Sequence, residues 1–80
     1  MRILDIDNDK AVYYTVLLLT RSEAQELRDS LDGLLESQNS CIHHHVIDDG
    51  LKHEITVVLY DDGHVETFND RCIKLIQQDI

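Results

Sequence analysis

The sequence predicts an α+β protein in which one antiparallel β-sheet packs on one long amphipathic helix, with a short helix at the C-terminus. Three observations support this prediction: an apolar repeat at helical spacing, two similar glycine-containing turns between strand-like runs, and an uncharged run of β-prone residues ahead of the helix. The predicted order of elements is β-β-α-β-β-β-α.

The size and charge of the chain set limits on its function. Its 80 residues include 16 acidic and 7 basic side chains, which give a formal net charge of −9. A chain of this length is expected to form a single domain, residues 1–80. Nucleic acids and anionic membranes are disfavoured as partners because both require clusters of Lys and Arg, which the sequence lacks.

The N-terminal part predicts two strands. Residues 2–6 form a short mixed run, and the polar residues 7–10 are typical of a turn. Residues 11–19, rich in Val, Tyr, Thr and Leu, predict a longer strand. Both of its faces are largely apolar, as in a central strand that is covered on both sides.

The long helix is predicted to begin after Thr20, because Thr20 and Glu23 have the spacing of a capping box. Apolar residues then recur at helical spacing, and acidic residues occupy the opposite side. The predicted apolar stripe contains Ala24, Leu27, Leu31, Leu34 and Leu35. The predicted acidic docking surface contains Glu26, Asp29, Asp32 and Glu36.

Two similar turns predict a three-stranded meander in the second half of the chain. Residues 47–51 and 60–64 each place Asp-Asp-Gly between strand-like runs, which suits a three-residue hairpin loop with a G1 bulge. The predicted strands are residues 42–47, 51–60 and 64–68. Asn69 or Asp70 is expected to cap the final short helix, where Ile73, Ile76 and Ile80 share one side.

The five histidines are the most unusual feature of the sequence, and three of them predict a candidate metal site. In the three-residue-loop register His45 lies opposite His53, and His43 lies on the same face. Three imidazoles in that arrangement can hold zinc, with Cys41 as a further ligand. A two-residue loop would separate the three histidines, and an ordinary exposed sheet edge is the simpler interpretation.

No catalytic constellation is apparent, so the protein is expected not to be an enzyme. The sequence contains no glycine-rich phosphate loop and no nucleophile elbow, and the two cysteines, Cys41 and Cys72, suit buried structural positions or one long-range disulfide. The N-terminus has no signal-peptide pattern, and no apolar run is long enough to span a bilayer. A cytoplasmic location is therefore expected.

Taken together, these features predict a non-catalytic interaction module whose acidic helix occupies a basic surface of a partner protein. Small acidic folds act in this way as inhibitors and immunity-type proteins encoded by phages or mobile elements, an analogy of size and charge only. The alternative is a metal-binding or pH-responsive protein that uses the histidines. A homodimer is also expected, through a sheet face formed by residues 11–19 with Val58, Tyr60 and Phe68.

Overall fold

The computed structural model describes residues 1–37, 43–61 and 63–80, and it shows an α+β protein with two small antiparallel sheets and two helices. In chain order the elements are β1 (Leu4–Asp5), β2 (Lys10–Ala11), α1 (Arg21–Glu36), β3 (His43–Ile47), β4 (Glu54–Val58) and α2 (Asp70–Gln78). The described residues divide into two compact units. Residues 1–17 and 61–80 form unit 1, and residues 18–60 form unit 2.

This architecture confirms the predicted α+β class and differs from the prediction in how the strands are distributed. Strands β1 and β2 pair with each other, and β3 and β4 form a second sheet, where a single sheet was expected. Residues 64–68 form turns in place of a third meander strand. Their only β-type pairing with a described residue is a bridge from His64 to Asp61. Neither described helix has the length and apolar character needed to cross a membrane.

Helix α1 in unit 2 begins as its sequence predicts. The Thr20 hydroxyl accepts a hydrogen bond from the Glu23 amide at 3.2 Å, and the Thr20 amide donates to the Glu23 carboxylate at 2.9 Å. This reciprocal pair is the predicted capping box, and it satisfies two backbone donors at the helix start.

The β3–β4 hairpin packs its alternate residues against α1. His44, Val46, Ile55 and Val57 are buried or half-buried, whereas the residues between them are exposed. Leu34 of α1 is 3% exposed and Val46 is 6% exposed, and these two side chains are the most buried among the described residues of unit 2. Helix and hairpin therefore share one small apolar core.

Gly33 provides space for a histidine at the interface between α1 and β3. A Cβ atom at position 33 would lie 3.3 Å from both Cε1 and Nε2 of His44, which is tighter than ordinary van der Waals contact. Glycine inside a helix costs about 1 kcal/mol relative to alanine. A larger residue at position 33 would require the His44 imidazole to shift by a few tenths of an ångström.

Unit 1 combines the β1–β2 hairpin with α2. Leu4 lies opposite Ala11 and Asp5 opposite Lys10, and the Val12 amide extends the pairing by donating to the Ile3 carbonyl at 2.9 Å. The Asn69 side chain caps α2 by accepting from the Cys72 amide, as predicted, and Leu75 and Ile76 form the buried side of the helix.

Two arginines connect the N-terminal residues to α2. The Arg2 Nε–H donates to the carbonyls of Leu75 and Ile76 at 3.0 and 3.2 Å near the end of the helix, and the Leu75 carbonyl also accepts from the Asp79 amide. The Arg71 side chain donates to the carboxylate and the carbonyl of Asp9 and to the Ile80 carbonyl. These bonds hold the β1–β2 turn and the chain terminus onto the helix.

Most of the strand predicted for residues 11–19 is absent. Only Ala11 belongs to a strand, and residues 12–20 adopt no regular secondary structure. The side chains of residues 13–19 are exposed. This segment therefore supplies large apolar side chains to the surface rather than to the core.

Candidate functional sites

The four acidic residues predicted as a docking surface all lie exposed on α1. Glu26, Asp29, Asp32 and Glu36 follow one another at spacings of three or four residues, which places them along one side of the helix. One of them has a basic neighbour, because the Arg28 Nε lies 3.3 Å from the Asp29 carboxylate. Both side chains of that pair are well exposed, so solvent screens the interaction strongly.

The last turn of α1 carries negative charge without a local compensating charge. Asp32 and Glu36 lie towards the C-terminal end, and the last turn contains no basic residue. A helix C-terminus already bears a partial negative charge, so carboxylates there destabilise the helix by about 0.3–1 kcal/mol each. A cationic group supplied by another molecule would relieve this unfavourable arrangement.

Two leucines of α1 lie beside the acidic residues and were expected in the core. Leu31 is 42% exposed and Leu35 is 73% exposed, whereas Leu34 is buried as predicted. Helical spacing alone assigned these residues to one stripe, which is wider than the surface that the small β3–β4 hairpin covers. The exposed surface of α1 therefore combines apolar side chains with carboxylates.

The β3–β4 register differs from the one that predicted a histidine trio. His45 lies opposite Thr56, Val46 opposite Ile55 and Ile47 opposite Glu54. The connection between the strands is therefore longer than three residues, and the pairing is shifted by three positions. Because the shift is an odd number of residues, the side chains of β4 that share a face with His45 are not those that were predicted. The predicted pairing of His45 with His53 does not form.

The exposed face of the hairpin instead brings two histidines together. The rings of His43 and His45 meet edge to face with their centroids 4.8 Å apart. The Nδ1 atom of His45 lies 2.8 Å from the Thr56 hydroxyl and 3.0 Å from the Glu54 carboxylate. His44 lies on the other face, against Gly33.

His53 belongs to the loop, where it contacts Asp48. The Asp48 carboxylate accepts hydrogen bonds from the backbone amides of Lys52 and His53, and it lies 2.6 Å from Nδ1 of His53. The hydrogen bond with the His53 side chain, followed by the two backbone bonds, lowers the pKa of Asp48 below its ordinary value. Asp48 thus organises the whole connection between the two strands.

We expect this carboxylate to make hairpin stability depend on acid. Because the folded-state pKa of Asp48 is lowered, its contribution is fully present above about pH 4 and is lost as pH falls through the folded-state pKa. Asp48→Asn should flatten the decline in unfolding free energy that denaturant titrations detect between about pH 5 and pH 2. Asp49→Asn, at an exposed neighbouring position, is the matched control and should leave the decline in place.

The described residues contain no group of three His, Cys, Asp or Glu side chains arranged to hold a metal ion. His43 and His45 are adjacent, but His53 is bound to Asp48, and Cys41 lies outside the described residues. Cys72 on α2 is half-buried and is a free thiol. The predicted zinc site therefore stays a prediction, and the register on which it depended is not the one observed.

Comparison with protein-family models, with curated proteins and with solved structures gives no significant match.

Proposed function

We propose that this chain is a small, acidic, non-catalytic interaction module that presents one side of α1 to a basic surface of a partner protein. An inhibitor or immunity-type role, of the kind encoded by phages and mobile elements, suits a module that acts by occupying such a surface. The proposal places the protein in the cytoplasm as a single domain and gives it no cofactor.

The observation that carries the proposal is the composition of the exposed surface of α1. Leu31 and Leu35 are exposed next to Asp32 and Glu36, the residues that leave the end of the helix uncompensated. Interfaces gain affinity mainly from apolar anchors, whereas charged groups set the association rate and the choice of partner. One helix side thus offers both kinds of group to a cationic surface.

The decisive variant reverses the two carboxylates at the end of the helix. Asp32→Lys with Glu36→Lys should slow association with the basic partner by about tenfold or more at low salt. The same change places cations at a helix C-terminus, which should leave the fold intact or slightly more stable. Weaker binding by a variant that is at least as stable as the original cannot be attributed to unfolding.

The partner is to be identified by affinity capture from the source cells, and its association rate measured by surface plasmon resonance. Asp49→Lys with Glu66→Lys makes the same change in net charge at exposed positions outside α1 and is the matched control. We expect the control to bind nearly as fast as the original chain. Equal slowing by both variants would mean that net charge alone matters and would remove α1 from the proposal.

A second candidate function, a pH-responsive role, is favoured by the contacts of three histidines. In each of them the Nδ1 atom lies near a carboxylate oxygen. The distance is 3.0 Å from His45 to Glu54, 2.6 Å from His53 to Asp48 and 3.6 Å from His64 to Asp61. Histidine is the side chain whose charge responds most readily to pH in the physiological range, and each of these contacts places one beside a carboxylate. Measuring the free energy of unfolding up to pH 8 tests this second candidate. A free energy that does not change between pH 5 and pH 8 would rule out the pH-responsive role.

A further inference from the structure

Residues 13–19, hereafter the 13–19 segment, form an exposed apolar stretch. Tyr14 is 94% exposed, Val16 81% and Leu18 90%, and Thr15 is the one residue of the segment that is neither aromatic nor aliphatic. No Asp, Glu, Lys or Arg occurs from residue 11 to residue 20. Consecutive exposed apolar side chains of this kind are typical of an interaction site in a stable protein.

The backbone of the 13–19 segment is also free to pair. The ladder between β1 and β2 ends where the Val12 amide donates to Ile3, and the Tyr13 hydroxyl donates to the Asp79 carbonyl. From Tyr14 to Leu19, no hydrogen bond is made with any residue that the structure describes. A β-prone run with unpaired amides and carbonyls is a template for a strand from another chain.

We propose that the 13–19 segment pairs in antiparallel fashion with the same segment of a second copy, with Thr15 at the two-fold axis. This register places Tyr13 opposite Leu17 and Tyr14 opposite Val16 of the other copy, with the two Thr15 residues facing each other. Aromatic–aliphatic pairs and paired threonines are among the favourable cross-strand combinations. The Tyr13–Leu17 and Tyr14–Val16 pairs each occur twice and the Thr15 pair lies on the axis, as two-fold symmetry requires.

Charge favours this direction of pairing and this part of the chain. A parallel pair in register would place Lys10 against Lys10, whereas the antiparallel pair places Lys10 opposite Thr20. Like charges directly opposite each other are destabilising. Two chains of net charge −9 repel each other over most of their surfaces, and the uncharged 13–19 segment is where they approach at the lowest cost.

The exposed side chains of the segment provide apolar area for a dimer to bury. A standard interface buries about 800 Å² on each partner. Covering the two tyrosines contributes roughly 150–250 Å² each, and four aliphatic side chains of the segment add to this. The proposal does not depend on the acidic surface of α1, so either one can fail while the other stands.

The first test is the oligomeric state, measured by sedimentation velocity between about 1 and 100 μM. The original chain should be a dimer at the upper end of this range. Thr15→Pro should raise the dimer dissociation constant at least about tenfold, because proline removes a ladder donor at the centre of the pair. Leu51→Lys, at another exposed apolar position, should leave it unchanged. A monomeric original chain, or a Thr15→Pro variant that dimerises as well as the original, would overturn the proposal.

The second test measures the register directly. In the proposed pair two Thr15→Cys residues face each other with β-carbons about 4.5–5.5 Å apart, close enough for a disulfide after a small adjustment. We expect this variant to form covalent dimers at least about tenfold faster than Leu51→Cys under the same mild oxidation. Equal rates for the two variants would show that the segments do not meet at Thr15.

Discussion

Leu34→Ala should lower the free energy of unfolding of unit 2 by about 2–5 kcal/mol, the largest effect expected of any single substitution in this chain. Leu34 is 3% exposed and is the most buried residue of α1, so truncation removes apolar contacts and leaves a cavity between the helix and the hairpin. The described residues of unit 2 bury few other side chains, which leaves little to compensate for the loss. Denaturant titration followed by circular dichroism measures the change.

The neighbouring leucine provides the control for this prediction. Leu35→Ala makes the same chemical change on the same helix at a side chain that is 73% exposed. Its effect on the free energy of unfolding should stay within about 0.5 kcal/mol, as for most surface substitutions. Comparable losses in the two variants would mean that α1 packs through a different side from the one described.

Arg2→Ala should destabilise unit 1 by about 1.5–3 kcal/mol. The Arg2 guanidinium donates to the Leu75 and Ile76 carbonyls, and charge-assisted hydrogen bonds contribute about this much when the donor is partly shielded from solvent. Removing it takes a shared donor from both carbonyls, although Leu75 keeps its bond from the Asp79 amide, and also removes a 3.8 Å contact with Asp79. Denaturant titration and amide exchange of the last turn of α2 both report the loss.

Lys74→Ala is the matched control, because it removes a cation from an exposed position of α2, the helix that Arg2 contacts. Arg2→Lys separates charge from geometry, since a lysine retains the charge but lacks the Nε–H group that the two carbonyls share. We expect Lys74→Ala to have little effect and Arg2→Lys to fall between the original chain and Arg2→Ala. An Arg2→Ala variant as stable as the Lys74→Ala control would contradict the proposed capping role.

Both helices could be predicted from the sequence because their signals are local. Thr20 and Glu23 form a capping box, and Asn69 caps α2, and each contact spans only three residues. The side of α2 that becomes buried includes Ile76, which the apolar spacing identified. Such short-range interactions depend little on the rest of the fold.

The strand arrangement could not be predicted, because it depends on contacts that sequence patterns do not specify. The two Asp-Asp-Gly turns suggested identical tight hairpins, but the Asp48 carboxylate binds the amides of Lys52 and His53 and stabilises a longer connection. Residues 11–19 have a high β-propensity, but propensity describes how well a residue fits a covered pleated surface. Within the described chain no strand lies alongside residues 13–19.

The candidate sites could likewise be predicted only in part. Exposure of Glu26, Asp29, Asp32 and Glu36 agrees with the prediction, because acidic residues opposite an apolar stripe rarely enter a core. Leu31 and Leu35 were assigned to the core because helical spacing indicates a direction but not how much surface the other elements can cover. The face of each histidine followed from the strand register, so an error in the loop length displaced the whole predicted group.

The contact between Gly33 and His44 constrains how this protein can change during evolution. A side chain at position 33 would favour helix formation. The His44 imidazole, which lies 3.3 Å from the position of its β-carbon, would have to shift by a few tenths of an ångström to admit it. A smaller residue at position 44 would remove that obstacle. In diverging descendants of this chain, alanine at position 33 should therefore accumulate after His44 has been replaced, and glycine should persist wherever the histidine is kept.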